Sequence, residues 1–251
     1  MELQKIDNIT QTFDSISLSE MESVNLMKRV DTKFAISESQ FLAAFPSLSE
    51  TYRILDVNNN KYSEYESLYY DSPRFRFYSD HHRSKANRMK IRIRKYKSNQ
   101  ISFLEVKKKF KGRTIKSRIS SNTWSADLSI ADREFLTEFY PDYENLSPSL
   151  ENNFVRITLV NNNKTERLTF DLNINYKSES KKLSLSNLVI CELKQEKLNR
   201  KNAFFVQMKQ NQIRPLRISK YCVGMMAFYS DNGIKSNRFK KKTLKLNKIL
   251  C

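Results

Sequence analysis

Glycine is almost missing from this chain: its 251 residues hold three, Gly112, Gly224 and Gly233. Glycines so far apart build neither a Walker loop nor a dinucleotide fingerprint, each of which needs several within one turn. Histidine is scarcer still, with only the adjacent His81 and His82, which argues against zinc-hydrolase motifs and multi-histidine relays. Two neighbours on an extended strand would point to opposite faces, so this pair reads as loop or rim rather than a bidentate metal site. The three cysteines, Cys191, Cys222 and Cys251, lack metal-like spacing and read as reduced thiols. The longest apolar stretch, around Tyr221 to Tyr229, is too short to span a bilayer. The start, Met1-Glu2-Leu3-Gln4-Lys5, lacks the basic-then-apolar pattern of a signal peptide. The expectation is a cytoplasmic protein, with a peripheral place at the inner face of the membrane as the alternative.

What is abundant is positive charge. Lys and Arg number 45 against 27 Asp and Glu, a formal net charge of +18. With 16 Phe and 12 Tyr the chain has the aromatic content of a folded globule. A fold this basic meets a polyanion: nucleic acid, an anionic membrane surface or a phosphate-rich small molecule.

Helical signals fall at four places. Ser37-Glu38-Ser39-Gln40 has the form of a capping sequence opening Phe41 to Phe45, closed by Pro46. The others are Ala131 to Tyr140, Asn199 to Gln212, and the most apolar, Ser219 to Ser230. Much of the remainder reads as strand, with the asparagine triplets 58–60 and 161–163 as hairpin turns. No repeat or linker divides the chain, so residues 1–234 read as one domain. Residues 235–251 read as a basic C-terminal tail. From Lys235 to Lys248 the tail carries seven cations and no acid, the pattern of a solvated end or of an electrostatic contact with a polyanion.

The charges inside the strands say more. In Lys90-Ile91-Arg92-Ile93-Arg94 the isoleucines share one face and Arg92 and Arg94 the other. Leu104 and Val106 oppose Glu105, Lys107 and Lys109; Lys116 pairs with Arg118; Arg167 shares a face with Asp171; Arg156 opposes Val155, Ile157 and Leu159. An ordinary antiparallel sheet with one wet face explains any single strand. A wet face normally mixes signs, however, because like charges across a ladder are destabilising. Crowding of one sign on several strands makes sense if a polyanion neutralises it. The expected architecture is α+β: a closed antiparallel β-barrel with a charged lumen and helices packed outside. Nucleic-acid binding is disfavoured, since it predicts basic residues along an outer face with interleaved aromatics.

An ordered set of motifs then resembles a known family. It comprises Arg29-Val30-Asp31-Thr32-Lys33-Phe34, Tyr69-Tyr70-Asp71-Ser72-Pro73, Tyr78-Ser79-Asp80-His81-His82 and Lys90-Ile91-Arg92-Ile93-Arg94. Phe103-Leu104-Glu105-Val106-Lys107, Cys191-Glu192-Leu193-Lys194 and Ser219-Lys220-Tyr221 complete it. Together these resemble the VTC domain, the polyphosphate polymerase branch of the triphosphate tunnel metalloenzymes (the CYTH superfamily), from about Arg29 to about Phe228.

The resemblance implies a basic β-tunnel that transfers the γ-phosphate of ATP onto a growing inorganic polyphosphate chain, with Mn²⁺ or Mg²⁺. By position it makes Lys33 the phosphate-binding lysine, Arg92 and Arg94 the paired tunnel arginines, and Lys107 the lysine after the strand glutamate. Lys116 or Arg118, with Arg156 and Arg167, match further lining residues. Glu192 matches the metal-binding glutamate, and Ser219 and Lys220 the C-terminal pair. Glu105 and Lys194 belong to the substrate-binding set, together with Lys85 or Arg88. Asp171 is either a second metal ligand or the partner of a tunnel arginine. The superfamily's ExExK signature is here Arg29 to Lys33, with one carboxylate, which lowers the expectation of a thiamine-triphosphatase or cyclase. A non-catalytic polyphosphate- or triphosphate-binding module and a triphosphate hydrolase are the alternatives, and export of product would need a membrane-protein partner.

Overall fold

Alternation of period two in the sequence becomes one continuous sheet, antiparallel but for the short β1–β3 pair. A computed structural model describes residues 1–22, 29–111 and 113–250; Gly112 and the Cys251 thiol lie outside them. The strands are β1 (Ser15–Ile16), β2 (Val30–Ser37), β3 (Tyr52–Leu55), β4 (Ser63–Asp71), β5 (Arg88–Tyr96), β6 (Ser102–Phe110), β7 (Arg113–Ser120), β8 (Ser147–Asn161), β9 (Glu166–Lys177), β10 (Lys182–Leu185) and β11 (Leu188–Gln195). The helices are α1 (Leu3–Thr10), α2 (Leu18–Glu22), α3 (Glu38–Ala44), α4 (Arg76–His82), α5 (Ile130–Thr137), α6 (Ala203–Gln210), α7 (Lys220–Tyr229) and α8 (Lys240–Leu250).

Hydrogen-bonded neighbours run β2-β11-β9-β8-β4-β5-β6-β7, antiparallel throughout. The sheet curls so that Lys33 on β2 lies within electrostatic reach of Lys90 on β5 and Lys107 on β6. The result is an α+β tunnel with a charged interior. Its ladder ends at β2 and β7, with no β2–β7 pairing among the described residues. At that seam the Lys33 carbonyl accepts instead from the Leu216 amide, at 2.7 Å, so the segment leading into α7 runs beside β2.

The convex face is apolar. Phe34, Ile36, Ile157, Leu168, Phe170, Cys191 and Leu193 pack under Phe41 and Phe45 at α3 and Phe204 and Met208 of α6. A second layer joins Leu68, Ile91, Ile93, Leu104 and Val106 to Leu136 of α5. Each such fully buried side chain contributes about 1.5–3 kcal/mol. Ser37 and Gln40 form the expected capping box at α3.

Helix α7 packs on the concave side. Tyr221, Cys222, Met225 and Phe228 of α7 pack on Ala35, Tyr69, Leu150, Tyr176 and Ile190. These five strand residues share a face with the charged positions, so α7 plugs one end of the tunnel. Gly224 permits this fit: a Cβ there would stand 2.5 Å from Leu150 Cδ2 and 2.7 Å from Tyr176 Cδ1.

Some local expectations are corrected. Asn58 and Asn59 take positive φ (54° and 62°) beside a Val57–Asn60 bridge, but the flanking β3 and β4 pair with other strands. The 161–163 segment does close the β8–β9 hairpin, with the positive φ (56°) at Lys164. Asn161 stabilises that turn by accepting from the Thr165 and Glu166 amides. His81 and His82 end helix α4 instead of lying in a strand or loop. The basic segment is helical in α8, with Phe239 and Leu246 buried in the same cluster as α7. Among the described residues no helix is long and apolar enough to cross a membrane.

Candidate functional site

The strand registers set the concave face in cross-strand rows. Asp31, Lys194 and Arg167 form one; Lys33, Glu192, Thr169 and Thr158 the next; Ala35, Ile190, Asp171 and Arg156 the third. Across the tunnel, Ser67, Arg94 and Phe103 align, then Tyr69, Arg92, Glu105 and Arg118. Lys90, Lys107 and Lys116 follow, then Arg88, Lys109 and Thr114. Period-two geometry therefore gathers residues from eight strands onto one surface.

Three carboxylates organise part of this charge. Asp171 accepts from Arg156 through Nε (2.6 Å) and Nη2 (2.8 Å), a bidentate contact, and also pairs with Lys220 at the start of α7. Glu105 pairs with Arg92 at 2.6 Å and Lys116 at 2.6 Å. Glu192 sits between Lys194 at 2.9 Å and Lys33 at 3.2 Å. Burial alone would raise all three carboxyls, but neighbouring cations outweigh it and hold them below the usual carboxylate range. The same cations act with burial on the lysines, pushing Lys90 and Lys220 down to about 7.

The carboxylates do not satisfy everything. Arg94 is 8 % exposed, and its Nε has no hydrogen-bond partner; Arg167 Nε is also buried and unpartnered. Arg94 lies over the faces of Tyr65 and Phe154, with its carbon 5.3 and 5.9 Å from their ring centres. Ring faces hold a guanidinium but accept no N–H bond of ordinary strength. Lys90, whose ammonium is buried, donates to the Ser219 hydroxyl at 2.9 Å, and Ser219 is the N-cap of α7. The positive end of that helix thus faces the cationic interior.

A match to the VTC domain runs over residues 28–229. The chain belongs to the VTC domain family. No curated protein matches it. Among solved structures it is similar to a putative adenylyl cyclase from Hippeastrum with a dominant triphosphatase activity. There the identity is 13%, the TM-score 0.51, and the match covers 79% of this chain and 96% of that one. It is also similar to a putative adenylate cyclase from Vibrio parahaemolyticus, at 11% identity and TM-score 0.45, covering 78% and 97%. At these identities the first likeness speaks to the fold, that of the triphosphate tunnel proteins.

The VTC tunnel brings together the residues named from sequence: Lys33, Arg92, Arg94, Lys107, Lys116, Arg118, Arg156, Arg167, Lys194 and Lys220 share its interior with Glu105, Asp171 and Glu192. Lys116 and Arg118 both lie on the interior row positions of β7. Arg88 stands on the interior face of β5 opposite Lys109. Lys85 lies in the preceding loop, exposed and paired with Asp80 at 2.6 Å. Lys90 was missed as a site residue, although its spacing of two from Arg92 already put it on their face.

The VTC chain also holds α7 in place through a carboxylate that the sequence set in the Tyr69 to Pro73 motif without a role. Asp71, at the end of β4, accepts from the amides of Ser72, Phe77 and Tyr78 and from the Tyr221 hydroxyl. Burial raises its carboxyl despite those four donors. One carboxylate therefore caps α4 and anchors the first turn of α7 beside Lys220.

Proposed function

We propose that this protein is a polyphosphate polymerase, moving the γ-phosphate of ATP onto a growing inorganic polyphosphate chain inside the tunnel. The observation that carries the reading is Arg94: a buried guanidinium with an unpartnered Nε, beside Arg92, in a tunnel where cations outnumber carboxylates. Leaving such a donor unpaired costs about 1–3 kcal/mol or more, and a phosphate group would satisfy it, two of its oxygens accepting from the guanidinium fork.

Phosphoryl transfer needs positioning and neutralisation of charge more than a protein nucleophile. In this reading an oxygen of the acceptor chain's terminal phosphate attacks the γ-phosphorus, the bond to the β–γ bridging oxygen breaks, and ADP leaves. Arg92, Arg94, Arg156 and Arg167 clamp phosphate oxygens, while Lys33, Lys90, Lys107, Lys116, Arg118, Lys194 and Lys220 supply further positive charge. Asp171 commits both oxygens to Arg156 and Lys220, and its role here is to orient those cations.

A divalent ion fits Glu192. Its carboxylate is ionised and half-buried. Its contacts to Lys33 (3.2 Å) and Lys194 (2.9 Å) are looser than the bidentate pair that holds Asp171, so it is the carboxylate from which Mn²⁺ or Mg²⁺ would displace a lysine. Such ions bind through one or two carboxylates together with substrate phosphates. Held there, the ion would supply positive charge against the phosphates. Among the described residues no cluster of three or more acidic, cysteine or histidine groups forms an all-protein cage.

The test is incubation of purified protein with ATP and Mn²⁺, with products resolved on a gel and Glu192→Gln as control. A ladder of phosphate polymer that the control lacks supports the reading. Free phosphate alone indicates a triphosphatase, and tight binding without turnover a binding module.

A further inference from the structure

Helix α7 closes only part of the tunnel's circumference with apolar contacts. The strand residues in its cluster come from β2, β4, β8, β9, β10 and β11, and none from β5, β6 or β7. On the β5 to β7 side, where α4 packs beside β5 and its His81 stands near Arg88, Lys90 and Lys107, the cationic lining continues to the strand ends. Lys90 faces Lys107, Lys107 faces Lys116, and Arg88 faces Lys109. These are like-charge pairs directly across hydrogen-bonded strands, an arrangement that is destabilising without a counter-ion. Glu105 is the nearest carboxylate in register, one row away, and it is taken by Arg92 and Lys116; Glu192 and Asp31 act on Lys107 from across the tunnel but are not in register with it.

Among the described residues the terminal pair meets no carboxylate. Arg88 donates to the backbone carbonyl of Lys85, and Lys109 stands half-buried near the end of β6, with no side-chain hydrogen bond or ion pair among the described residues. This corner lies at the end of the tunnel that α7 plugs, because β4 and β5, and β5 and β6, run antiparallel. It is next to Ser219, where Lys90 already reaches the cap of α7. A chain of phosphates longer than the interior therefore meets an apolar wall on one side and an unneutralised cationic edge on the other.

We propose that long-chain polyphosphate leaves the tunnel past α7 along β5 and β6, with Arg88 and Lys109 forming a subsite for phosphates beyond those held inside. This rests on the tunnel being a polyphosphate site and adds the route of the chain. Lys109 contributes to holding long chains and not to holding a triphosphate. The plug thereby sets which wall the polymer follows.

The test compares Lys109→Gln and Lys109→Glu with wild-type protein for binding of two probes, tripolyphosphate and long-chain polyphosphate. The expected result is a loss of roughly tenfold in long-chain affinity, in keeping with one charged hydrogen-bonding partner, with a larger loss for Lys109→Glu. Tripolyphosphate affinity should stay within about twofold, which also shows that the variants are folded. Unchanged long-chain affinity overturns the route, as does an equal loss for both probes, which would place Lys109 inside the triphosphate site. If wild-type protein binds neither probe, the tunnel reading itself fails and takes this one with it.

Discussion

Lys90 and Lys107 stand directly opposite each other on β5 and β6, with a third cation, Lys116, next in the same row. Such a row is tolerated in the empty protein at some cost in stability. Lys90→Met should stabilise the ligand-free fold by roughly 0.2–1 kcal/mol, the size of a cross-strand pair. It should also weaken tripolyphosphate binding about tenfold, through the loss of one charged donor. Thermal unfolding and titration calorimetry on the same variant measure both, and the two effects have opposite signs.

The depressed lysines give binding a pH signature. Lys90 and Lys220 sit at about 7 in the empty tunnel, through burial and nearby cations. A bound polyanion favours their charged forms and raises both values. The added affinity is then full below about pH 7 and lost as pH rises through the raised, bound-state values. Binding near neutral pH should take up protons, seen as a calorimetric heat that changes with the ionisation enthalpy of the buffer.

The same lysines act oppositely on the empty fold. Their folded values lie below the unfolded value of about 10.4, so the unfolded chain binds more protons between roughly pH 7 and 10. Their contribution to stability should rise with pH across that window. Denaturant unfolding of ligand-free protein at several pH values would show it, and polyphosphate should flatten the slope.

Asp171 is the hinge of the opposite wall. Asp171→Asn leaves Arg156 and Lys220 without their carboxylate and should lower stability by roughly 3–5 kcal/mol, as expected for half of a buried ion pair. Tripolyphosphate should recover part of that loss by supplying oxygens to the same cations. Melting curves with and without the ligand measure both.

Gly224→Ala tests the plug. Alanine is the better helix former by about 1 kcal/mol, yet its Cβ would overlap Leu150 and Tyr176. Overpacking of this kind costs about 1–3 kcal/mol. The expected outcome is lower stability together with weaker phosphate binding, because α7 carries Lys220.

Much of the tunnel was legible because charge alternates with apolar residues along single strands. Arg92 and Arg94 against Ile91 and Ile93, or Lys107 against Val106, need only a period of two to be assigned a face. What escaped is non-local. Phe75 to His82 is rich in strand-favouring aromatics, but it is a helix begun at Phe75 with φ 50° and capped by Asp71, four residues earlier. The apolar run at 220–229 marks a packed helix, yet nothing in it says that it enters the tunnel. That follows from Leu150, Tyr176 and Ile190, distant in sequence. Likewise the choice of Asp171 as partner to Arg156 depends on the β8–β9 register and on where Lys220 arrives.

The central claim is that the interior binds a chain of phosphates through cations that the protein leaves unpaired, Arg94 foremost. The most direct measurement is calorimetric titration of tripolyphosphate into wild-type protein and into Arg94→Met, which keeps the length of the side chain and removes its charge and donors. The account predicts binding by the wild type, with at least a tenfold loss in the variant and no loss of thermal stability in the absence of ligand. Equal affinity in the two proteins would contradict it.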